Sequence, residues 1–233
     1  MNIVVTGAGS GLGFEIVLDL VRKTEHRVVA VSRNAGKLRR LLEIARGLNP
    51  ECNLLPVSFD LVNDELALLE DFVLKSLGTV DVLINNAGQL VNKPFMKTTA
   101  EELTRMLNTN VLAHFKLSQA LVPFMLKGGH IVNIGSMGGY QGSVKFPGLS
   151  AYSASKGALA VLTECMALEL AEYNVKVNCL ALGSAQTEML EEAFPGYQSP
   201  VMAFEMGAYV ADFALNASRF FNGKVIPVSV TTP

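Results

Sequence analysis

Tyr152 and Lys156 stand four residues apart in the run Ala151-Tyr-Ser-Ala-Ser-Lys156. A free phenol is a poor acid at neutral pH, with a pKa of about 10. On a helix, positions i and i+4 share one face, so this spacing holds an ammonium beside the phenol. A fixed cation within a few ångströms favours the phenolate and lowers the phenol pKa. The expectation is a tyrosine that trades a proton with a substrate oxygen near neutral pH. The same spacing also occurs on ordinary exposed helix faces, so the pair acquires meaning from the residues around it.

The N-terminus supplies the first of these. Asn2 to Val5 form a short apolar run, and Phe14 to Val21 carry helical spacing. Between them lies Thr6-Gly-Ala-Gly-Ser-Gly-Leu-Gly13. A strand, a glycine-rich turn and a helix start in this order bind a dinucleotide pyrophosphate. Gly7 permits the sharp turn, Gly11 leaves backbone bare where a phosphate approaches, and Gly13 lets the helix lie close to the sheet. The free N–H groups and positive dipole end of that helix form the anion site. Thr6, Gly7, Ser10, Gly11, Leu12 and Gly13 are the cofactor-binding candidates of this turn.

The elements that must position these groups alternate along the chain. Further strands are expected at Arg27–Val31, Asn53–Ser58, Val80–Ile84, Gly129–Ile134, Val175–Leu182 and Lys224–Ser229. Helices are expected at Gly11–Lys23, Ala35–Leu48, Asn63–Leu77, Ala100–Leu126, Ala151–Tyr173 and Ala203–Asn216. Thr99-Ala-Glu-Glu102 reads as a capping box opening the fourth of these. Strict alternation of strand and helix implies an α/β domain with a parallel sheet covered on both faces. Ligands bind such sheets beyond the carboxyl ends of the strands, so the loops there carry the chemistry.

After the second strand comes Ser32-Arg33-Asn34. NAD-preferring folds place an acidic residue here for the ribose 2′-hydroxyl. None is present. Arg33 can instead bind a 2′-phosphate bidentately, with Ser32 as a small hydrogen-bonding neighbour, which favours NADP over NAD. The other reading of Arg33 is a solvated surface arginine. Asp60 and Leu61, after the third strand, are placed to touch an adenine edge. Asn86, Ala87 and Gly88, after the fourth, are small enough to let backbone approach the cofactor ribose. Ser136 ends the fifth strand and projects at the active end of the sheet. There it can join Tyr152 in stabilising the alkoxide that forms when a carbonyl is reduced. Asn110 lies within an expected helix, where Asn is a poor helix former; a kink is its alternative role.

Composition narrows the class. The chain has 233 residues, half of them apolar, which suits one large domain spanning 1–233. A net charge of −2 gives no bulk electrostatic basis for binding nucleic acid or a membrane. Cys52, Cys165 and Cys179 are too few and scattered for a disulfide framework, and no metal site is expected. The first strand starts at residue 2, ahead of which no signal peptide fits, and no apolar run is long enough to span a bilayer. A cytoplasmic location is the expectation. His26, His114 and His130 have no ligand-type neighbours at useful spacing and read as surface or packed residues. Met96, Met189, Met202 and Met206 read as gap-fillers, and those after the sixth strand can also line an apolar pocket.

Taken together, Thr6-Gly-Ala-Gly-Ser-Gly11-Leu-Gly13, Asn85-Asn-Ala-Gly88, Asn110, Ser136 and Tyr152-Ser-Ala-Ser-Lys156 resemble the short-chain dehydrogenase/reductase family in its single-domain branch. The motifs follow the family's order and cover the first four fifths of the chain. The resemblance implies a Rossmann-type, doubly wound parallel sheet of about seven strands and hydride transfer between a nicotinamide cofactor and a carbonyl or alcohol. It assigns Tyr152 as general acid or base and Ser136 as holder of the substrate oxygen. Lys156 lowers the tyrosine pKa and binds the nicotinamide ribose, and Asn110 anchors a water linking Lys156 to solvent.

Three departures from the family pattern stand out. The segment from Ser136 to Tyr152 is longer than usual, with the extra residues within Gly142–Gly148, so Ser143 and Ser150 remain rivals to Ser136. The sixth strand ends in Leu182-Gly183, where the family has Pro-Gly; Gly183 and Thr187 can still serve the nicotinamide. The tail from Glu188 is short, and its 188–210 part is the expected substrate lid. Val111–Phe115 and Ala158–Leu162 are apolar around more than one face, which requires cover on both sides. Together with the family's habit of pairing these helices, this points to a homotetramer or dimer. The non-enzymatic alternative is a catalytically idle, NADP-bound sensor or scaffold; a second alternative is a sugar-nucleotide epimerase or dehydratase of the longer branch.

Overall fold

A computed structural model describes residues 1–23, 26–126 and 128–230. Seven strands form one parallel sheet: β1 (Asn2–Thr6), β2 (Arg27–Ser32), β3 (Asn53–Ser58), β4 (Val82–Asn85), β5 (Gly129–Ile134), β6 (Val175–Leu182) and β7 (Val225–Val228). Their spatial order is β3-β2-β1-β4-β5-β6-β7. The chain winds outward from β1 to β3, then returns to add β4 on the other side of β1. That reversal opens a crevice at the carboxyl ends of β1 and β4, which is where a Rossmann-type fold takes its ligand.

The strands are apolar on both faces because both faces are covered. Successive side chains alternate in direction. Ile3 and Val5 of β1 therefore join one core with α1 (Gly11–Lys23), α2 (Ala35–Leu48) and α8 (Ala203–Asn216). Val4 between them joins the other core, with α3 (Leu66–Leu77), α5 (Ala113–Leu121) and α6 (Ser150–Glu169). Leu20, Leu41 and Val210 close the first layer, and Leu69, Leu117 and Leu121 close the second. Burying each such side chain stabilises the fold by roughly 2 kcal/mol.

The helix expected over Ala100–Leu126 is not continuous. It comprises α4 (Ala100–Leu107), a π-helical turn (Asn108–Leu112), α5, and a 3₁₀ turn (Val122–Phe124). In the π turn the Ala113 N–H donates to the Asn108 carbonyl, so one extra residue is wound into the helix. Pro123, lacking an N–H, stands in the closing 3₁₀ turn. The capping box forms as expected: the Thr99 hydroxyl accepts from Glu102 N, and the Glu102 carboxylate accepts from Thr99 N.

Several boundaries also shift. α3 starts at Leu66 rather than Asn63, because the Asp60 carboxylate holds Val62 N and Asn63 N in a turn. β4 starts at Val82 rather than Val80, because Val80 N and Asp81 N donate to Phe124 O and Asn2 O instead. α6 tightens into a 3₁₀ turn at Leu170–Tyr173, and Asn174 ends it in the left-handed region at φ 56°. β7 is shorter than expected at both ends. A short helix, α7 (Glu188–Ala193), was not expected at all; six residues are too few to show a periodicity.

Candidate active site

The glycine-rich turn lies between β1 and α1. Gly7 and Gly11 have φ of 67° and 56°, a region that side chains other than glycine's adopt at a cost. A Cβ on Gly13 would strike the Gly7 carbonyl, just past the end of β1, and the Asn86 amide, so its bareness lets α1 start close against both turns. A Cβ on Gly9 would collide with the Ser32 hydroxyl. Thr6 is buried, and its hydroxyl accepts from Asn86 N at 2.9 Å and Ala87 N at 3.0 Å. Thr6 thus locks the two loops together and does not present its hydroxyl to the cleft. Bare backbone at Gly7 and Gly11 runs into the start of α1, where the free N–H groups of a helix N-terminus could hold an anion such as a dinucleotide pyrophosphate.

At the other end of this cleft, Ser32 closes β2 and Arg33 extends into solvent. The Arg33 guanidinium lies 3.9 Å from Asp60. Asp60 itself is occupied by the turn before α3, accepting from Val62 N at 2.9 Å and Asn63 Nδ2 at 3.0 Å. Leu61 packs partly buried against the second core. Asn34 caps α2 by accepting from Lys37 N at 2.9 Å. Lys37 was missed by sequence reasoning. Its Nζ pairs with Glu188 at 2.6 Å, which ties α2 to α7 across the cleft. Bonds from Lys37 and Ser10 hold the Glu188 carboxyl below its usual range. No short motif joins residues 151 positions apart, so no sequence signal could have paired them.

The catalytic candidates converge beyond β4 and β5. The Tyr152 hydroxyl pairs with Ser136, whose Oγ also accepts from Gly138 N at 3.1 Å. Ser143 is turned away: its hydroxyl donates to the Tyr140 carbonyl at 2.9 Å and receives Lys145 Nζ at 2.6 Å. Ser150 is exposed at the start of α6. Lys156 is buried, with Nζ donating to the Ile134 carbonyl at 2.7 Å and lying 5.9 Å from the centre of the Tyr152 ring. A Cβ on Gly88 would be 3.6 Å from Lys156 Nζ and 3.5 Å from Asn110 Oδ1. Asn110 stands in the π turn and is fully buried. Its Oδ1 accepts from Gln89 N at 2.7 Å, and its Nδ2 donates to Gln89 O and Ser155 Oγ, each at 2.9 Å.

One expectation needs correction. Burial raises the Tyr152 pKa above 10.0, with the Ser136 hydrogen bond opposing it, and Lys156 is not among the causes. Burial also lowers Lys156 from 10.5 to about 8, with its electrostatic interaction with Cys179 pulling the other way. Desolvation disfavours both charged forms. The resting site is a neutral phenol beside an ammonium of weakened charge preference.

Gly183 and Thr187 divide. A Cβ on Gly183 would be 2.7 Å from Ser229 Oγ, so its bareness is explained by the neighbouring end of β7. Thr187 caps α7, accepting from Leu190 N at 3.2 Å, and stands 3.4 Å from where a Gly11 Cβ would be. The far end of α7 is tied to the loop after β4, Ala193 O accepting from Asn92 Nδ2 at 2.8 Å. α7 therefore spans the mouth of the cleft from the glycine turn to the β4 loop. His130 is a packed residue whose Nδ1 donates to Ala214 O and whose Nε2 accepts from Asn178 Nδ2. No helix among the described residues is long and apolar enough to cross a membrane.

A family model described as short chain dehydrogenase matches residues 1–198. Carbonyl reductase [NADPH] 2 of Sus scrofa is 38% identical over 181 residues, covering 76% of this chain and 69% of that protein. The 7alpha-hydroxysteroid dehydrogenase of Escherichia coli (strain K12) is 34% identical over 97% of this chain and 91% of its own. A solved 7 alpha-hydroxysteroid dehydrogenase, complexed with NADH and 7-oxo glycochenodeoxycholic acid, superposes with a TM-score of 0.89 at 28% identity, over 99% of this chain and 93% of that one. These relatives are named for reductase and dehydrogenase activities, and none supports an idle sensor or scaffold. The chain belongs to the short-chain dehydrogenase/reductase family and is an NAD(P)-dependent oxidoreductase acting on an alcohol or carbonyl group.

Proposed function

We propose that the protein reduces a carbonyl to an alcohol with NADPH, Tyr152 donating the proton and Ser136 holding the substrate oxygen. The observation that carries this is the Tyr152–Ser136 pair at the carboxyl end of β5, beside the buried Lys156. When bound, the nicotinamide supplies the hydride to the carbonyl carbon. The oxygen left with developing negative charge takes its proton from the Tyr152 hydroxyl, while Ser136 donates a hydrogen bond to it. Because burial keeps the resting phenol protonated, the site starts in the form a reduction needs. Lys156 replaces part of the charge stabilisation as the phenolate forms, and Asn110 holds the Gln89 backbone beside it.

The NADP preference rests on Arg33 and Ser32 at the end of β2, with Lys37 nearby and no carboxylate at that position. The segment 188–210 acts as the substrate lid. Its half-exposed Met189, Tyr197, Met202 and Phe204 suit an apolar carbonyl compound. Exposed Leu107, Leu112 and Phe115 on α4 and the π–α5 stretch, with Val161 and Leu168 on α6, suit pairing with further copies of the chain. A cytoplasmic setting accords with three free cysteines.

The test is NADPH oxidation against ketones, aldehydes and acyl thioesters, repeated with Tyr152→Phe. The variant should bind NADPH as the wild type does and lose at least about 100-fold in turnover. A near-native rate in Tyr152→Phe overturns the assignment.

A further inference from the structure

His114 lies one helical turn beyond Asn110 and is buried, at 1% exposure. Its Nε2 is 2.7 Å from the Ala87 carbonyl. A carbonyl can only accept, so Nε2 carries the hydrogen and Nδ1 the lone pair. No described group donates to that Nδ1. A buried acceptor left without a partner destabilises the fold. An apolar side chain would fill the space without this cost, so packing does not account for the imidazole.

The Ala87 peptide is gripped from both sides. Its N–H donates to the Thr6 hydroxyl at 3.0 Å, and its carbonyl receives His114. Two residues on, Asn110 takes both the N–H and the carbonyl of Gln89. Gly88, between these anchors, is the residue whose missing side chain leaves room next to Lys156 Nζ. The π turn at Asn108–Leu112 sets both Asn110 and His114 against this one stretch of backbone.

We propose that His114 is a positioning residue for the nucleotide: its Nε2–H fixes the Ala87 carbonyl and thereby the shape of the Ala87–Gly88 backbone against which the nicotinamide ribose rests. The proposal rests on the nucleotide-binding reading of the cleft. Burial and the nearby Lys156 ammonium lower the His114 pKa to about 3, so the ring stays neutral and keeps the same donor across the working pH range. A protonated ring would add a second charge beside Lys156.

The experiment compares wild type, His114→Gln and His114→Asn. A glutamine carries its amide N–H to about the place of Nε2; an asparagine stops near Nδ1 and cannot reach the Ala87 carbonyl. NADPH dissociation constants are measured by nucleotide fluorescence on the cofactor-free proteins, alongside their thermal midpoints. His114→Asn should weaken NADPH binding about tenfold, which is about 1.4 kcal/mol. His114→Gln should stay within about twofold of wild type. At saturating NADPH, kcat of the asparagine variant should fall far less than its KM for NADPH rises. Equal affinities for the two variants overturn the proposal, as does an affinity loss that follows the thermal midpoint and not the donor. If His114→Asn does not fold, His114→Gln decides alone: near-native binding supports the proposal, and weak binding by a stable protein overturns it. Wild type that binds neither NADPH nor NADH overturns this proposal together with the functional reading beneath it.

Discussion

Lys156→Met separates what the site needs from what the fold needs. The Lys156 ammonium is 4% exposed and has one carbonyl partner, Ile134 O. Burial moves its pKa from 10.5 to about 8, a shift that penalises the charged form by roughly 3 kcal/mol. Between pH 8 and 10.5 the unfolded chain binds the proton that the folded chain has released, so stability rises with pH in that window. Below pH 8 the whole penalty applies. From pH 7 to 9 the cofactor-free wild type should therefore gain about 1 kcal/mol. Burial of Cys179, raised from 9.0 to about 11, acts in the opposite direction, but mainly above pH 9. Lys156→Met removes the rise with pH. At pH 7 it relieves the roughly 3 kcal/mol penalty and leaves the Ile134 carbonyl unpartnered, which costs about 1–3 kcal/mol. The variant should thus be inactive and as stable as wild type or up to about 2 kcal/mol more stable. Urea unfolding at pH 7, 8 and 9, with the m-value held constant, reads both effects. A wild type whose stability is flat or falls from pH 7 to 9, or a variant that keeps the same slope, refutes the reasoning.

The remaining predictions concern the two ends of the cleft. Arg33→Asp should weaken NADPH far more than NADH, by about tenfold or more in the ratio of dissociation constants; equal losses for both nucleotides would remove Arg33 from the specificity assignment. Ser136→Ala should lower kcat by about 100-fold, since it deletes a donor to the developing oxyanion. Ser143→Ala, which only loosens the Met137–Lys145 loop, should keep kcat within about threefold. Steady-state kinetics in which the Ser143 variant shows the larger loss would reverse their roles.

Much of the fold was legible because it rests on local signals. Alternating β-rich and helical runs implied the parallel sheet, and the glycine turn between β1 and α1 marked the cleft. Helix interiors were less legible. The run Ala100–Leu126 carries one continuous apolar periodicity, yet the chain inserts a π turn at Asn108–Leu112. Asn110 was the visible hint, as a poor helix former with a kink as its alternative role. Glu188–Ala193 escaped notice because a six-residue helix is shorter than two turns.

The amino-acid sequence by itself determined the identities and order of the candidate groups: the glycines at 7, 11 and 13, Ser136, Tyr152 and Lys156. These follow from residue type and short-range spacing, which the chain carries in full. Only the tertiary structure decided the electrostatics. Lys156 was expected to pull the Tyr152 pKa down, but the surrounding core desolvates both, and burial dominates each shift. It also decided the long-range pairings, Lys37 with Glu188 and His114 with Ala87. Such contacts depend on how distant segments are brought together and on how much water is left between them, and neither is written in any short run of residues.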